Sequence, residues 1–323
     1  MPTSSLRHYK PLRPLVRAGY HTARSWRRLP GNVRGILWAL LGTVLFAIMG
    51  ALVKLLGERL HVTQILVFRQ LFMLVISLPV IIRGLPGSLR TKAPMLHAAR
   101  VVLATGAMVM GFSAVIELPL ADSTVIGFSR TFFLTVFAIF FLGEVVGVHR
   151  WAATILGFIG VLIIVQPGGG SEFNIYTVIA LAGAACAAIV GIILRKVSQL
   201  DPPITILTFQ AAFVGLLLTP FAIYYWTPMS QGDWIILAAL GAVSWMAQMC
   251  NIQAMKAGEA TVVAPMDYTR IVYASIISVV VFGVWPEWTT YVGASIIIGA
   301  SLYTMHRESK RKLERKNTIG EGA

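Results

Sequence analysis

The stretch Ile65-Leu66-Val67-Phe68-Arg69-Gln70, closed by Leu78-Pro79, returns as Ile206-Leu207-Thr208-Phe209-Gln210-Ala211, closed by Thr219-Pro220, 141 positions further on. The segment before it repeats at the same offset: Gly42, Gly50 and Lys54 answer Gly183, Gly191 and Arg195. Further along, Phe128-Ser129-Arg130 answers Tyr268-Thr269-Arg270, now 140 positions on. Both copies are too apolar to fold in water. A long internal duplication of this kind reads as two sets of membrane helices.

Composition agrees. A chain of 323 residues with 57% hydrophobic and 12% charged residues and a mean hydropathy of +0.76 is excluded from the soluble globular class. Its apolar runs have the length of about 20 residues needed to cross a roughly 30 Å hydrocarbon layer as helices. Runs of that length without alternation are helices rather than barrel strands. Ten spans are predicted: 35–56, 63–82, 94–115, 122–142, 149–166, 174–194, 203–225, 233–254, 261–282 and 289–305. The expected fold class is an all-α membrane protein. The loops are too short to hold a soluble catalytic domain.

The net charge of +14 suggests nucleic acid, but the placement of the charges argues against it. Eight of the 27 basic residues precede the first span and six follow the last. Most others fall in every second loop: Arg83, Arg90 and Lys92; Arg150; Arg195 and Lys196; Lys256. The alternate loops hold Glu58, Glu117, Asp122, Glu172, Asp233 and Glu287, with Arg59 as their only basic residue. This positive-inside bias places both termini in the cytoplasm of an inner-membrane protein. Basic ends beside anionic lipid account for the sequence pI of about 10.2 without nucleic acid. Five spans per half turn the second copy upside down. The His149-Arg150 loop after the fourth span and the Lys- and Arg-free Trp285–Trp288 loop after the ninth have the opposite charge bias this requires. The domains are then a basic leader (1–34), a first five-helix repeat (35–166), an inverted second repeat (174–305) and a basic, disordered tail (306–323).

The acid-free leader is also compatible with a mitochondrial presequence; a cytoplasmic basic segment is the plainer reading. No secretory signal pattern precedes the first span. Cys186 and Cys250 fall inside spans and read as small packing residues, with no disulfide or metal framework. No GxxxxGK[ST] loop occurs, and Gly168-Gly169-Gly170 is a turn after Pro167. The histidines show no HExxH spacing, and GxSxG is absent. A resident ATPase, a metal centre, a cofactor and a hydrolase are therefore not expected.

Ionisable residues at membrane depth are what remain, at about 2.5–3.5 kcal/mol each on insertion scales. Arg69, Arg130, Asp267 and Arg270 are the clear cases. Arg130 and Arg270 occupy equivalent places and would suit an anionic or polarisable solute, or else bind helix-end carbonyls. Arg69 has Gln210 as its repeat mate. Asp267 lies three residues before Arg270 and either pairs with it or serves as a proton-coupling carboxylate. Lys54, Arg195 and Arg100 are expected to snorkel to the interface. Pro79, Pro220 and Pro265 kink or break their spans. Phe128, Tyr268 and Trp245, with Phe132, Phe133 and Tyr273, either pack or stack on a flat ring. Ala153, Gly157 and Gly160, and Gly293, Gly299 and Ala300, allow close helix contact within one chain or between two copies of a homodimer.

Phe141-Leu142-Gly143-Glu144 followed by Trp151 and Gly157-Phe158-Ile159-Gly160, and Ala264-Pro265-Met266-Asp267-Tyr268-Thr269-Arg270 followed by Phe282-Gly283, resemble the paired EamA domains of the drug/metabolite transporter superfamily. The likeness runs from Gly35 to about Tyr303. It implies ten helices in two inverted halves, a central cavity lined by spans one to four and six to nine, and alternating access to a small organic solute. Val284 stands where the second copy usually has an acid. The chain looks most like bacterial riboflavin and S-adenosylmethionine uptake carriers. Riboflavin is the leading expectation; S-adenosylmethionine uptake or export of an amphipathic compound are the alternatives, because fold does not decide cargo or direction. A membrane-embedded enzyme would need a convergent acid, base or metal set, and none is seen. A scaffold or sensor would leave the duplicated intramembrane polar positions unexplained.

Overall fold

The computed structural model describes residues 29–85, 90–142, 148–165, 174–197, 200–258 and 263–320. Among these residues every regular element is helical. The helices are α1 (Gly31–Gly57), α2 (Val62–Arg83), α3 (Pro94–Glu117), α4 (Leu120–Phe128), α5 (Arg130–Leu142), α6 (Val148–Val165), α7 (Ile175–Val197), α8 (Pro203–Tyr224), α9 (Gln231–Ala257), α10 (Arg270–Phe282) and α11 (Trp288–Gly320). A 3₁₀ segment, Ala264–Thr269, precedes α10. The leader 1–28, Gly143 and Glu144, and Gly168–Gly170 lie outside the described residues.

Local chemistry sets the ends. The Ser230 hydroxyl accepts from the Asp233 N–H at 3.2 Å while the Asp233 carboxylate accepts from the Ser230 N–H at 2.7 Å, a capping box that opens α9. Gly283, at φ 66°, closes α10 in the left-handed conformation. There the Val284 N–H reaches the Ser278 carbonyl and the Gly283 N–H reaches the Val279 carbonyl. Pro79 and Pro220 both lie inside helices, at matching places in α2 and α8.

Among the described residues six helices, α1, α2, α3, α7, α8 and α9, are individually long and apolar enough to cross a membrane. The other four of the ten spans expected from the sequence do not stand out in this way. The fourth is broken at Ser129 into α4 and α5, and the ninth is a 3₁₀ segment followed by α10. The tail also differs from expectation, since α11 carries the chain on as helix to Gly320. The Arg307–Lys316 stretch is mostly strong helix formers, with Glu308 four residues before Lys312 and Lys310 four before Glu314, which favour that continuation.

Packing is reciprocal between the halves. α1 lies along α9, and its counterpart α7 lies along α3; α2 packs on α8, and α6 on α11. Along α6 and α11 the backbones touch. A Cβ at Gly293 would lie 2.5 Å from the Gly160 carbonyl oxygen, and one at Gly160 would lie 2.9 Å from that of Gly293. Gly160 and Gly293 thus serve contact within one chain. Val53, Leu56, Ile65, Leu237 and Leu240 fill the core between α1, α2 and α9. Leu216, Ile235 and Val280 stay exposed on the outer faces, as lipid-facing positions do. Cys250 packs beside Leu45 and Ala247, and both cysteines are free thiols.

Candidate functional site

The two helix breaks fall at matching places, and each delivers an arginine as the first residue of the next helix: Arg130 of α5 and Arg270 of α10. α10 packs against α1 and α4. The Arg270 guanidinium accordingly lies close to two rings, 5.2 Å from the centroid of Phe128 and 6.0 Å from that of Phe46. Its Nε is buried without a hydrogen-bond partner. One turn away along α1, the hydroxyls of Thr43 and Thr269 are 3.1 Å apart. Phe128 is buried, and Tyr268 meets it edge-on at 5.0 Å. Tyr268 is half-buried and packs against the cluster to which Phe128, Ile271 and Ile297 belong. Arg130 is exposed and makes no hydrogen bond or salt bridge with the described residues, although its charge acts on the Tyr268 hydroxyl.

Asp267 and Arg270 do not form the ion pair that their spacing suggested; among the described residues neither takes part in a salt bridge. Asp267 sits in the 3₁₀ segment and Arg270 opens the α-helix. A 3₁₀ turn keeps positions three apart on one face, so the missing pair follows from the direction of the arginine, whose guanidinium turns to Phe46 and Phe128.

The other polar candidates gather elsewhere. Arg69 is buried; its Nε donates to the Ser244 hydroxyl at 2.9 Å, one terminal nitrogen donates to the Gln70 amide oxygen at 3.1 Å, and its charge lies 5.4 Å from the Phe112 ring. Gln70 in turn donates to the Gln210 carbonyl at 3.4 Å. The Gln210 side-chain oxygen accepts from Arg100, which also reaches the Ile206 carbonyl at 3.4 Å. A polar chain therefore runs from α9 through α2 and α8 to α3. Two buried cations are held in it by neutral acceptors, with no carboxylate. Arg100 was expected at the interface; the structure buries it against α8, where Gln210 supplies the acceptor that makes burial tolerable. Trp245 is tied to α2, its indole N–H donating to the Ser77 hydroxyl at 3.2 Å. Lys54, also read as interfacial, donates to the Ile116 carbonyl at 2.9 Å and the Leu118 carbonyl at 2.7 Å, neutralising the negative end of α3. The side chain of its repeat mate Arg195 lies outside the described residues.

At one end of the bundle a cavity of about 430 Å³ is lined by Glu58, Arg59, His61, Glu117, Tyr176 and Tyr225 among others. The His61 and Tyr225 rings stack at 4.2 Å. Burial holds the His61 imidazole below its ordinary pKa. At the opposite end His97 and Asp201 form a buried pair. Burial pushes the Asp201 carboxyl up, but the Thr91 hydroxyl, the Lys92 N–H and His97 together hold it below the usual carboxylate range.

The sequence singled out Arg270, Phe128 and Tyr268, which lie together, and Arg69, Gln210 and Trp245, which lie in the α2–α8–α9 region. It missed Phe46 and Thr43 because an aromatic and a threonine on an apolar helix carry no signal until their partners are placed.

The family described as "EamA-like transporter family" matches residues 33–166 and, a second time, 174–305. The chain belongs to the EamA-like transporter family. Its curated relatives match over nearly their whole length. The S-adenosylmethionine uptake transporter of Rickettsia bellii is 30% identical over 85% of this chain and 94% of the relative. The riboflavin transporter of Vibrio cholerae is 27% identical over 88% and 97%. The pseudopaline exporter CntI of Pseudomonas aeruginosa is 29% identical over 83% and 94%. A solved crystal structure shares the fold with a TM-score of 0.61 at 17% identity, over 87% of this chain and 98% of that one. The protein is a multi-pass membrane transporter of the drug/metabolite superfamily, not an enzyme, and its cargo is a small molecule.

Proposed function

We propose that this EamA-family transporter is a secondary carrier for a flat heteroaromatic metabolite, with riboflavin uptake as the leading assignment. The observation that carries the reading is Arg270: a guanidinium close to both Phe46 and Phe128, with a buried Nε that has no partner and no salt bridge among the described residues. Two rings beside it suit stacking on a planar solute, and a free cationic donor suits a ring edged with carbonyl oxygens. Arg130, at the matching break, supplies a second cation, and Asp267, held in no salt bridge, is the candidate proton-coupling carboxylate.

In this reading the ten spans form two upside-down halves of five, with α4–α5 and the 3₁₀–α10 pair as the fourth and ninth. Both termini lie in the cytoplasm of a bacterial inner membrane, on the side of the basic loops. Reciprocal packing of α1 on α9 and α3 on α7 supports two equivalent halves rocking about the site between them. Contact between two copies of the chain keeps part of its sequence motive: Gly160 and Gly293 face each other within the chain, whereas Gly299 meets nothing within 4 Å.

S-adenosylmethionine is the second reading. It is favoured by relatives of that name at 28–30% identity, and its carboxylate would offset the repulsion between Arg270 and its sulfonium. The exporter among the relatives keeps outward transport of an amphipathic solute as the third. Uptake in a riboflavin-auxotrophic cell expressing this chain, with S-adenosylmethionine among the competitors, separates them. Growth on micromolar riboflavin, uncompeted by S-adenosylmethionine, is expected. Uptake of S-adenosylmethionine that riboflavin fails to compete would replace the assignment.

A further inference from the structure

The two halves meet at two seams built on one plan. At each, the loop after the first helix of one half touches the loop after the second helix, and the start of the third, of the other half. At the cavity end, Arg59 pairs with Asp233 at 3.3 Å and donates to Ser230, and the Gln64 amide clamps the Thr227 backbone at 2.9 and 3.2 Å. At the other end, Asp201 of the α7–α8 loop accepts from the Thr91 hydroxyl, from the Lys92 N–H at 2.9 Å and from His97 Nε2 at 2.9 Å.

The chemistry of the two seams differs. Arg59 is 57% exposed, and its seam borders the cavity. His97 and Asp201 are each 2% exposed, and the Phe209 ring lies 4.8 Å from the imidazole. A surface ion pair contributes little, whereas a buried carboxylate with three donors is costly to break once formed. One seam borders a cavity and combines an exposed arginine with a buried Gln64 clamp, and the other closes around a buried carboxylate.

Resting on the carrier reading above, we propose that the Thr91–His97–Asp201 cluster is the lock of the closed gate: it pins the start of α3 to the α7–α8 loop and must come apart before solute can leave at that face. His97 donates through Nε2 to Asp201, its Nδ1 is buried with no partner among the described residues, and Arg100 follows one turn later on α3. Asp201 is the positioning residue on which the donors converge.

The test uses the full chain with Cys186→Ala and Cys250→Ala, a reporter thiol from Thr43→Cys in the central cluster, and oriented vesicles. A membrane-impermeant thiol reagent is added from one face at a time. Asp201→Asn and His97→Leu should raise labelling from the face of the α2–α3 loop about tenfold, equivalent to about 1.4 kcal/mol toward opening, and should not raise it from the opposite face. His97→Gln keeps an N–H donor and should stay near the parent rate. Should Asp201→Asn fail to accumulate, Thr91→Val removes a single donor and should shift labelling in the same direction. Unchanged labelling from the α2–α3 face, or an equal rise from both faces as in a loosened fold, overturns the proposal. The readout is a reagent rather than a cargo, so a wrong solute assignment fails the uptake panel and leaves this result standing.

Discussion

Arg270 and Arg69 are both cations inside the bundle, yet they do different work. Arg69 spends its donors on Ser244 and Gln70. Replacing it with Met leaves those acceptors unpaired in a buried place, a loss of about 1–3 kcal/mol. Thermal unfolding in detergent should show that loss, with the apparent affinity of the remaining folded carrier little changed. Arg270→Leu should do the reverse: unfolding close to the parent and transport abolished. The Asp201 carboxyl gives a pH signature of its own. A carboxylate depressed in the folded state adds stability above its unfolded value of about 3.9, and that stability is lost as pH falls through the lower folded value. Asp201→Asn should therefore be less stable than the parent at pH 7, and the gap should close as the pH is taken below about 4. A gap that stays constant over that range would remove Asp201 as an ionised partner of the lock.

At the scale of elements, one of the two decisive breaks was legible and its mate was not. Pro265 marks the ninth span as broken, and the 3₁₀ segment Ala264–Thr269 lies there. The position 140 residues earlier is Val125, and nothing near Ser129 has proline's steric signature. At Ser129 the interruption is only a tightened turn: the Ser129 N–H reaches the Ile126 carbonyl at 3.0 Å while its angles stay right-handed helical. The glycines of α6 and α11 were legible as a close-contact stripe, but their partner was not, because periodicity does not say which helix lies opposite. Gly293→Val would drive a side chain into the Gly160 carbonyl. Overpacking of this kind costs about 1–3 kcal/mol, which should appear as a lowered unfolding midpoint. The same substitution at Gly299, where a Cβ meets nothing within 4 Å, should be nearly silent.

For the whole molecule, the duplication stands in the sequence because helix-facing residues must recur wherever the same packing recurs. The reciprocal contacts of α1 with α9 and α3 with α7 are its physical expression. The seams between the halves were not legible. His97 and Asp201 are separated by 104 positions, lie in loop-proximal stretches and have no matching residues in the other copy, so neither spacing nor repeat points to them. The contact of Arg100 with Gln210 was hidden for a different reason: a cation near a span end reads as interfacial until a partner from the other half is placed beside it. Fold and transporter class follow from what recurs along the chain, while the gate and the cargo depend on what does not.

The most direct measurement is flux of labelled riboflavin and S-adenosylmethionine into proteoliposomes carrying the purified parent or Arg270→Leu, with correct insertion of both confirmed by protease protection. The account predicts saturable flux of one of these solutes by the parent and none by the variant. Equal flux through both proteins would contradict it.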